Sequence, residues 1–221
     1  MNLKRKLNQW QALPYVSYLL IGLIGLMYLA LYLMPIIPVS GLISVDTLLA
    51  GQIGSFILAS VNTISLQALV IEGLILYFVG GQLEALVGHW RIILIYLLSG
   101  LAGLITQGLF LGTATMTVTV GMAVFGIFGA FLMLGDVFKE NAVLGQLARN
   151  YWVFLAMTIG LSFIFDHSSL YGSLGGVFGG FLSAMALGAP KVGKINPVNR
   201  IISGLVYVVA LILFAYLGMN R

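Results

Sequence analysis

The stretch GMAVFGIFGA at residues 121–130 repeats small residues along an otherwise apolar run. A second stretch, YGSLGGVFGG at residues 171–180, does the same and contains overlapping Gly-x-x-x-Gly phrases. Membrane helices gain nothing from hiding apolar surface against each other, so close packing through small residues holds them together. The two stretches therefore predict a pair of membrane helices whose backbones lie in contact.

The composition of the whole chain indicates an integral membrane protein. Of its 221 residues, 61% are hydrophobic and only 7% are charged, whereas a soluble domain carries about a quarter charged residues. The apolar runs are long and unbroken rather than alternating, which favours helices over a membrane barrel. Since the chain has no cysteine, disulfides and thiolate chemistry are excluded. We predict an all-α polytopic membrane protein.

Seven stretches approach the roughly 20 apolar residues that a membrane-spanning helix needs. The predicted spans are 14–35, 64–83, 90–111, 117–135, 150–166, 171–188 and 200–218. We divide the chain into an N-terminal segment at 1–13, a six-helix core at 14–188, and a linker with a seventh helix at 189–221. The moderately apolar segment 39–61 is interpreted as a loop lying partly in the membrane.

The distribution of positive charge sets the predicted orientation. With the N-terminus in the cytoplasm, nine of the ten Lys and Arg residues face that side, and only Arg221 lies outside. An eighth span within 39–61 would move most of them outward and violate the positive-inside rule. We predict a multi-pass protein of the plasma (inner) membrane with a cytoplasmic N-terminus. Topology accounts for the net charge of +4, so no nucleic-acid partner is expected.

The phrase YFVGGQLEALVGHWR at residues 77–91 carries a family resemblance. With Gly80, Glu84 and Gly88 at its fixed positions, it resembles the junction between the second and third spans of the rhomboid family of intramembrane serine proteases. The resemblance implies a six-helix rhomboid-like bundle, here with one further C-terminal helix. Glu84 would accept hydrogen bonds from backbone N–H groups of the turn, the alternative being an ordinary solvated carboxylate.

The two glycine-rich stretches resemble the catalytic helices of the same family. There the first helix carries a Gly-x-Ser nucleophile, and the second carries a His before a hydrophobe-Gly-Gly phrase. The matching positions in this chain are Gly121 and Ser173, so no catalytic residue is expected at either. The resemblance suggests a divergent, catalytically inactive, bacterial-type member. Small residues expected to pack the helices are Gly126, Gly129, Gly172, Gly176 and Gly180.

Two further active-site features of the family depart from its pattern. A His-x-x-x-Asn phrase on the second span helps to bind the oxyanion, and the matching residues are Ala68 and Glu72. A carboxylate there would repel the negative charge that such a site stabilises. The first outer loop of active members carries Trp-Arg, where this chain has Gly54 and Ser55. Glu72 is either a polar contact or titratable group facing the bundle, or a hydrated carboxylate near the interface.

Three functions remain open from the sequence. The first is a pseudoprotease that binds transmembrane segments of client proteins within the lipid bilayer. The second is an active rhomboid-type endopeptidase in which Ser173 or another outer-half serine is the nucleophile. Asp166, His167 and a serine of the same short turn also form a triad by composition, although a triad is defined by its geometry. The third is a small transporter or channel that uses Glu72. No metal or other cofactor is expected, because two histidines without a His-Glu-x-x-His phrase do not make a zinc protease site.

Overall fold

The chain folds into a helical bundle. The computed structural model describes residues 14–33, 41–165 and 167–220, and it describes the side chains of these residues except at 158, 159 and 161–169. The predicted segment 1–13 lies outside these ranges. The helices are α1 (Tyr15–Tyr28, continued by a π turn over Leu29–Leu33), α2 (Val45–Leu49), α3 (Ile53–Ala59), α4 (Leu66–Val87), α5 (His89–Leu111), α6 (Val120–Val137), α7 (Ala142–Phe165), α8 (His167–Leu187) and α9 (Pro197–Met219).

Five helices in the described ranges are long and apolar enough to cross a membrane. They are Leu66–Val87, His89–Leu111, Val120–Val137, Leu170–Leu187 and Pro197–Met219, and Tyr15–Leu31 is a shorter apolar helix. The prediction of an all-α polytopic membrane protein is therefore confirmed. Helices also lie at the other two predicted spans, since α1 falls within 14–35 and α7 covers nearly all of 150–166.

The core is built around α5, α6 and α8. Its largest fully buried side chains include Tyr96 on α5 and Phe128 and Phe131 on α6. By contrast, most side chains of α9 are exposed, and nearly all of these are apolar. Because α9 has apolar residues on every side, its outer face suits hydrocarbon rather than water.

The segment that precedes α4 contains no membrane-spanning helix in its described part. Its described part, from Gly41 onward, forms α2 and α3, which have five and seven residues and are far too short to span. The hydroxyl of Ser44 caps α2 by accepting the Thr47 N–H. An isolated antiparallel bridge between Ile43 and Thr117 ties this segment to the α5–α6 connection. The interpretation of 39–61 as a loop agrees with this geometry, although residues 39 and 40 lie outside the description.

Two of the helix bounds that differ from the predicted ones have clear local causes. Helix α7 begins at Ala142 rather than 150, because the Asn141 side chain accepts the N–H groups of Val143 and Leu144 and so caps it earlier. Helix α4 continues to Val87 rather than 83, and the following Gly88, with a φ of +95°, reverses the chain into α5. Within α4, residues Leu76–Gly80 form a π turn.

Glu84 anchors the end of α4 to the start of α1. Its side chain is fully buried, and its carboxylate accepts the backbone N–H groups of Val16 and Ser17 at 3.0 and 2.8 Å. The Ser17 hydroxyl donates to the same carboxylate at 2.7 Å, and His89 Nδ1 contacts Oε1. The donors thus differ from the expected ones, because they belong to the first turn of α1 rather than to the α4–α5 turn. The alternative of a solvated carboxylate is wrong.

Helix α9 packs against α5 and α8. The Asn196 side chain caps its start, and Pro197 occupies the first helical position. Near its middle, the Tyr207 hydroxyl donates to the Leu98 carbonyl at 2.8 Å. Near its end, a Cβ added at Gly218 would lie 3.3 Å from the Thr113 side chain. The seventh helix is therefore docked on the bundle along most of its length.

Candidate functional site

The starts of α4, α6 and α8 lie at one end of the bundle, which we call the site end. The opposite end, where α4 meets α5 and α8 is followed by α9, we call the basic end. Buried polar residues gather at the site end. The Tyr96 hydroxyl donates to the Ser60 carbonyl at 2.8 Å, and the hydroxyls of Ser60 and Thr119 lie 3.0 Å apart. The Thr119 N–H also donates to the Ala59 carbonyl. These bonds fix the α2–α3 segment over the start of α6.

Gly121 lies in the first turn of α6 and faces Glu72 of α4. A Cβ added at Gly121 would lie 3.5 Å from Glu72 Oε1 and would meet no other side chain within 4 Å. A side chain at this position would therefore point at the carboxylate. The sequence predicts both residues as site positions, and the fold brings them together.

The Glu72 carboxylate is only partly satisfied. Its Oε2 is buried and has no hydrogen-bond partner among the described residues. The Thr63 hydroxyl lies beside it, yet Thr63 Oγ1 is also buried without a partner. A buried polar atom without a hydrogen bond costs free energy, and a carboxylate costs more than a hydroxyl. The site end therefore holds a carboxylate whose neighbouring donor is the Thr63 hydroxyl and which has the capacity to accept further hydrogen bonds.

Ser173 lies two turns into α8 and is 6% exposed. The glycines on either side of it, Gly172 and Gly176, pack against Met122 of α6. A Cβ at Gly172 would lie 2.6 Å from Met122 Cε, and one at Gly176 would clash with the Met122 carbonyl. The positions that match the family's nucleophile and base thus lie on helices in direct contact.

Met122 was not predicted as a site residue. It also packs against α5, because a Cβ at Gly103 would lie 2.6 Å from Met122 Cβ. Its side chain therefore fills the space between α5, α6 and α8, immediately beside Gly121. The sequence did offer one signal for Met122, since a large residue directly follows the position that matches the nucleophile.

Further along, the backbones of α6 and α8 touch through glycine. A Cβ at Gly180 would clash with the Gly126 backbone, and a Cβ at Gly129 would clash with the Val177 carbonyl. Glycine at these two positions is required for α6 and α8 to approach so closely. Gly80 of α4 packs less tightly against α1, since its Cβ would lie 3.3 Å from the Ser17 side-chain oxygen.

The family model described as Rhomboid domain matches residues 50–190. The chain belongs to the rhomboid family. The Rhomboid protease GluP of Bacillus subtilis (strain 168) is 29% identical to it over 157 residues. That alignment covers 71% of this chain but 30% of the relative, so the chain spans less than a third of that protein's length.

Two further predicted site positions of this rhomboid, Ala68 and Gly54, are not part of the contact between Glu72 and Gly121. Ala68 is half-buried one turn before Glu72, and its N–H donates to the capping Ser65 hydroxyl. Gly54 is exposed on α3, and a Cβ there would meet nothing within 4 Å. Neither residue is brought against Gly121 by a described contact. For the alternative triad, Asp166 and the His167 side chain lie outside the described residues.

The carboxylates and histidines of this rhomboid are dispersed. Among the described residues, no group of three or more His, Asp or Glu side chains lies close enough to hold a metal ion. His89 is at the basic end, where it contacts Glu84 and stacks on Tyr15 with ring centroids 4.1 Å apart. Glu72 is therefore the one acidic site-end residue that the described geometry aims at the nucleophile position.

Proposed function

We propose that this rhomboid is a pseudoprotease that binds transmembrane segments of client proteins instead of cleaving them. The observation that carries the proposal is the pairing of Gly121 with Glu72 at the site end. The first residue lacks the hydroxyl that would attack a peptide bond. The second presents a carboxylate where a developing oxyanion would need hydrogen-bond donors.

Glu72 supplies a reason for binding helices. Its buried Oε2 lacks a hydrogen-bond partner in the described chain. Glu72 as a whole is only half-buried, so a client helix that carries an Asn, Ser or Thr and packs beside it could donate to the carboxylate within the membrane. Interhelical hydrogen bonds of this kind are worth about 1–2 kcal/mol in model peptides. Such a bond would favour helices with polar residues over purely apolar ones.

Catalytic inactivity is tested with a reconstituted cleavage assay on a transmembrane substrate. We expect no cleavage by the unmodified protein. The double variant Gly121→Ser, Ser173→His should stay weak, because the new hydroxyl would face the Glu72 carboxylate. Adding Glu72→Asn should raise cleavage by about a hundredfold or more, the usual effect of one oxyanion donor.

The matched control for the triple variant carries Glu72→Asn and Ser173→His but keeps Gly121, and it should be inactive. Cleavage by the unmodified protein would overturn the pseudoprotease proposal. The Bacillus relative is named a rhomboid protease, which favours a second candidate function for this chain, an active endopeptidase. In that case a fluorophosphonate probe should label the unmodified protein, and Ser173→Ala or His167→Ala should abolish the labelling.

Client binding is tested by energy transfer in liposomes between the protein and two single-span helices. One helix is all leucine and the other carries a single asparagine at its centre. We expect a preference for the asparagine helix that falls about fivefold to thirtyfold in Glu72→Leu, because one hydrogen bond is lost. Glu72→Gln should keep most of the preference, since its amide also accepts.

Glu140→Gln serves as the control for this binding test, because Glu140 is an exposed carboxylate beyond the other end of α6. It should leave the preference unchanged. An equal preference in the unmodified protein and Glu72→Leu would refute a role for Glu72 in client selection.

A further inference from the structure

Two arginines from different helices converge at the basic end. Arg91 of α5 donates from Nε to the Leu187 carbonyl at 3.2 Å. Arg200 of α9 donates from Nη2 to the same carbonyl at 3.1 Å and from Nε to the Ala186 carbonyl at 3.0 Å. The end of α8 therefore holds two guanidinium groups side by side, each with N–H groups left over for another acceptor.

Beside these arginines lies a cavity of about 590 Å³. Lys194 and Asn196 line it together with Arg91 and Arg200, and the rest of its wall is formed by the 187–197 connection. We call this cavity the basic pocket. The Asn196 side chain already accepts the Val198 N–H. The pocket's attraction for anions therefore comes from its three cations rather than from the start of α9.

The cations of the basic pocket lack acidic partners. No carboxylate lines the pocket, and none of its cations forms an ion pair with a described residue. Elsewhere in the described chain, Asp136 pairs with Lys139 and Glu84 is engaged by α1 and His89. Like charges held together repel each other, so an anion placed among them would be stabilised.

The membrane side of the basic pocket is apolar. A neighbouring cavity of about 340 Å³ is lined by Trp90, Leu94 and Leu187 together with the same two arginines. Trp90 is 74% exposed, and Ile201 and Leu205 of α9 are exposed nearby along the helix. Tryptophan is enriched at the membrane–water interface. A ligand here would meet cations at one end and hydrocarbon at the other.

We propose that the basic pocket binds the phosphate group of an anionic phospholipid from the adjacent leaflet. Basic residues at one end of a membrane protein set its topology wherever they lie along the connections. That rule does not explain why arginines from two helices donate to the same carbonyl, beside a cavity that no carboxylate lines. Basic pockets between membrane helices are a known way of holding anionic headgroups. This site is independent of Gly121 and Glu72.

The test is native mass spectrometry of the protein in a non-ionic detergent, titrated with phosphatidylglycerol or phosphatidylethanolamine. We expect one retained phosphatidylglycerol and no retained phosphatidylethanolamine. Lys194→Gln should weaken phosphatidylglycerol binding about fivefold, the effect of one cation near a charged lipid. Lys194 makes no hydrogen bond to a described residue, so this variant should fold normally even if Arg91→Gln does not.

Lys139→Gln is the matched control, because Lys139 is a cation at the same end that is paired with Asp136 at 2.8 Å. It should bind phosphatidylglycerol like the unmodified protein. Equal retention of both lipids, or equal weakening by the two lysine variants, would overturn the site. Displacement of the lipid by millimolar inorganic phosphate or glycerol phosphate would overturn the lipid assignment and give the pocket to a soluble phosphate.

Discussion

Glu84→Ala should lower the free energy of unfolding by about 3–5 kcal/mol, the usual effect of removing one partner from a buried charged network. The carboxylate accepts the N–H groups of Val16 and Ser17 and the Ser17 hydroxyl, and it contacts His89. Without it, the buried donors at the start of α1 would have no acceptor. Equilibrium unfolding in mixed micelles measures this loss.

Two variants separate the parts of that effect. Ser17→Ala removes one of the hydrogen bonds and should cost about 1 kcal/mol. Glu84→Gln keeps one acceptor oxygen but turns an N–H₂ group toward backbone donors, so its effect should lie between the other two. A loss below about 1 kcal/mol in Glu84→Ala would mean that α1 is held by other contacts.

Gly180→Ala should destabilise the protein by about 3 kcal/mol or more, at the upper end of what overpacking a core costs. The added methyl group would clash with the carbonyl oxygen, the carbonyl carbon and the Cα atom of Gly126 on α6. A backbone cannot rotate away as a flexible side chain can, so α6 and α8 would have to separate. Their separation would also displace Met122, and with it the start of α6.

The matched control is Gly100→Ala, another buried glycine in the same core. A Cβ there would have its nearest contacts at 3.5 Å, which is ordinary van der Waals distance. We expect a change within about 1 kcal/mol, since alanine also favours helix by up to that amount. Equal destabilisation by the two variants would show that the α6–α8 contact is no tighter than the rest of the core.

The helices themselves were predictable, because a backbone in lipid must satisfy its hydrogen bonds within each segment. The residues at which the helices begin and end were harder to predict. Gln146, Arg149 and Asn150 look like a loop in the sequence, yet polar residues do not stop a helix that Asn141 has already capped. The end of α4 was missed because a buried Glu84 looks like a surface residue in the sequence.

Contacts between distant residues were the hardest to predict. The Glu84 bonds join residues 67 and 68 positions apart, and no local pattern specifies such a pairing. The approach of Glu72 to Gly121 was expected only through the family resemblance. The convergence of Arg91 and Arg200 was missed, because a count of charges along the chain records the side of the membrane but not the distance between side chains.

The π turn at Leu76–Gly80 divides α4 into two halves with different helical phases. Such a turn holds one residue more than an α turn, so it rotates the residues after Gly80 by about 100° relative to an unbroken helix. A helical wheel drawn through the whole of α4 is therefore out of phase beyond this turn. Twelve residues of unbroken α-helix would place Glu72 and Glu84 about 120° apart around the axis, and the π turn brings them to within about 20°. Glu72 approaches α6 and Glu84 binds α1 because the two carboxylates lie at different heights along α4. A single-residue deletion within Leu76–Gly80 would remove the extra residue and keep both carboxylates on their present faces, whereas straightening the turn into α-helix without a deletion would rotate Glu84 by about 100° away from α1.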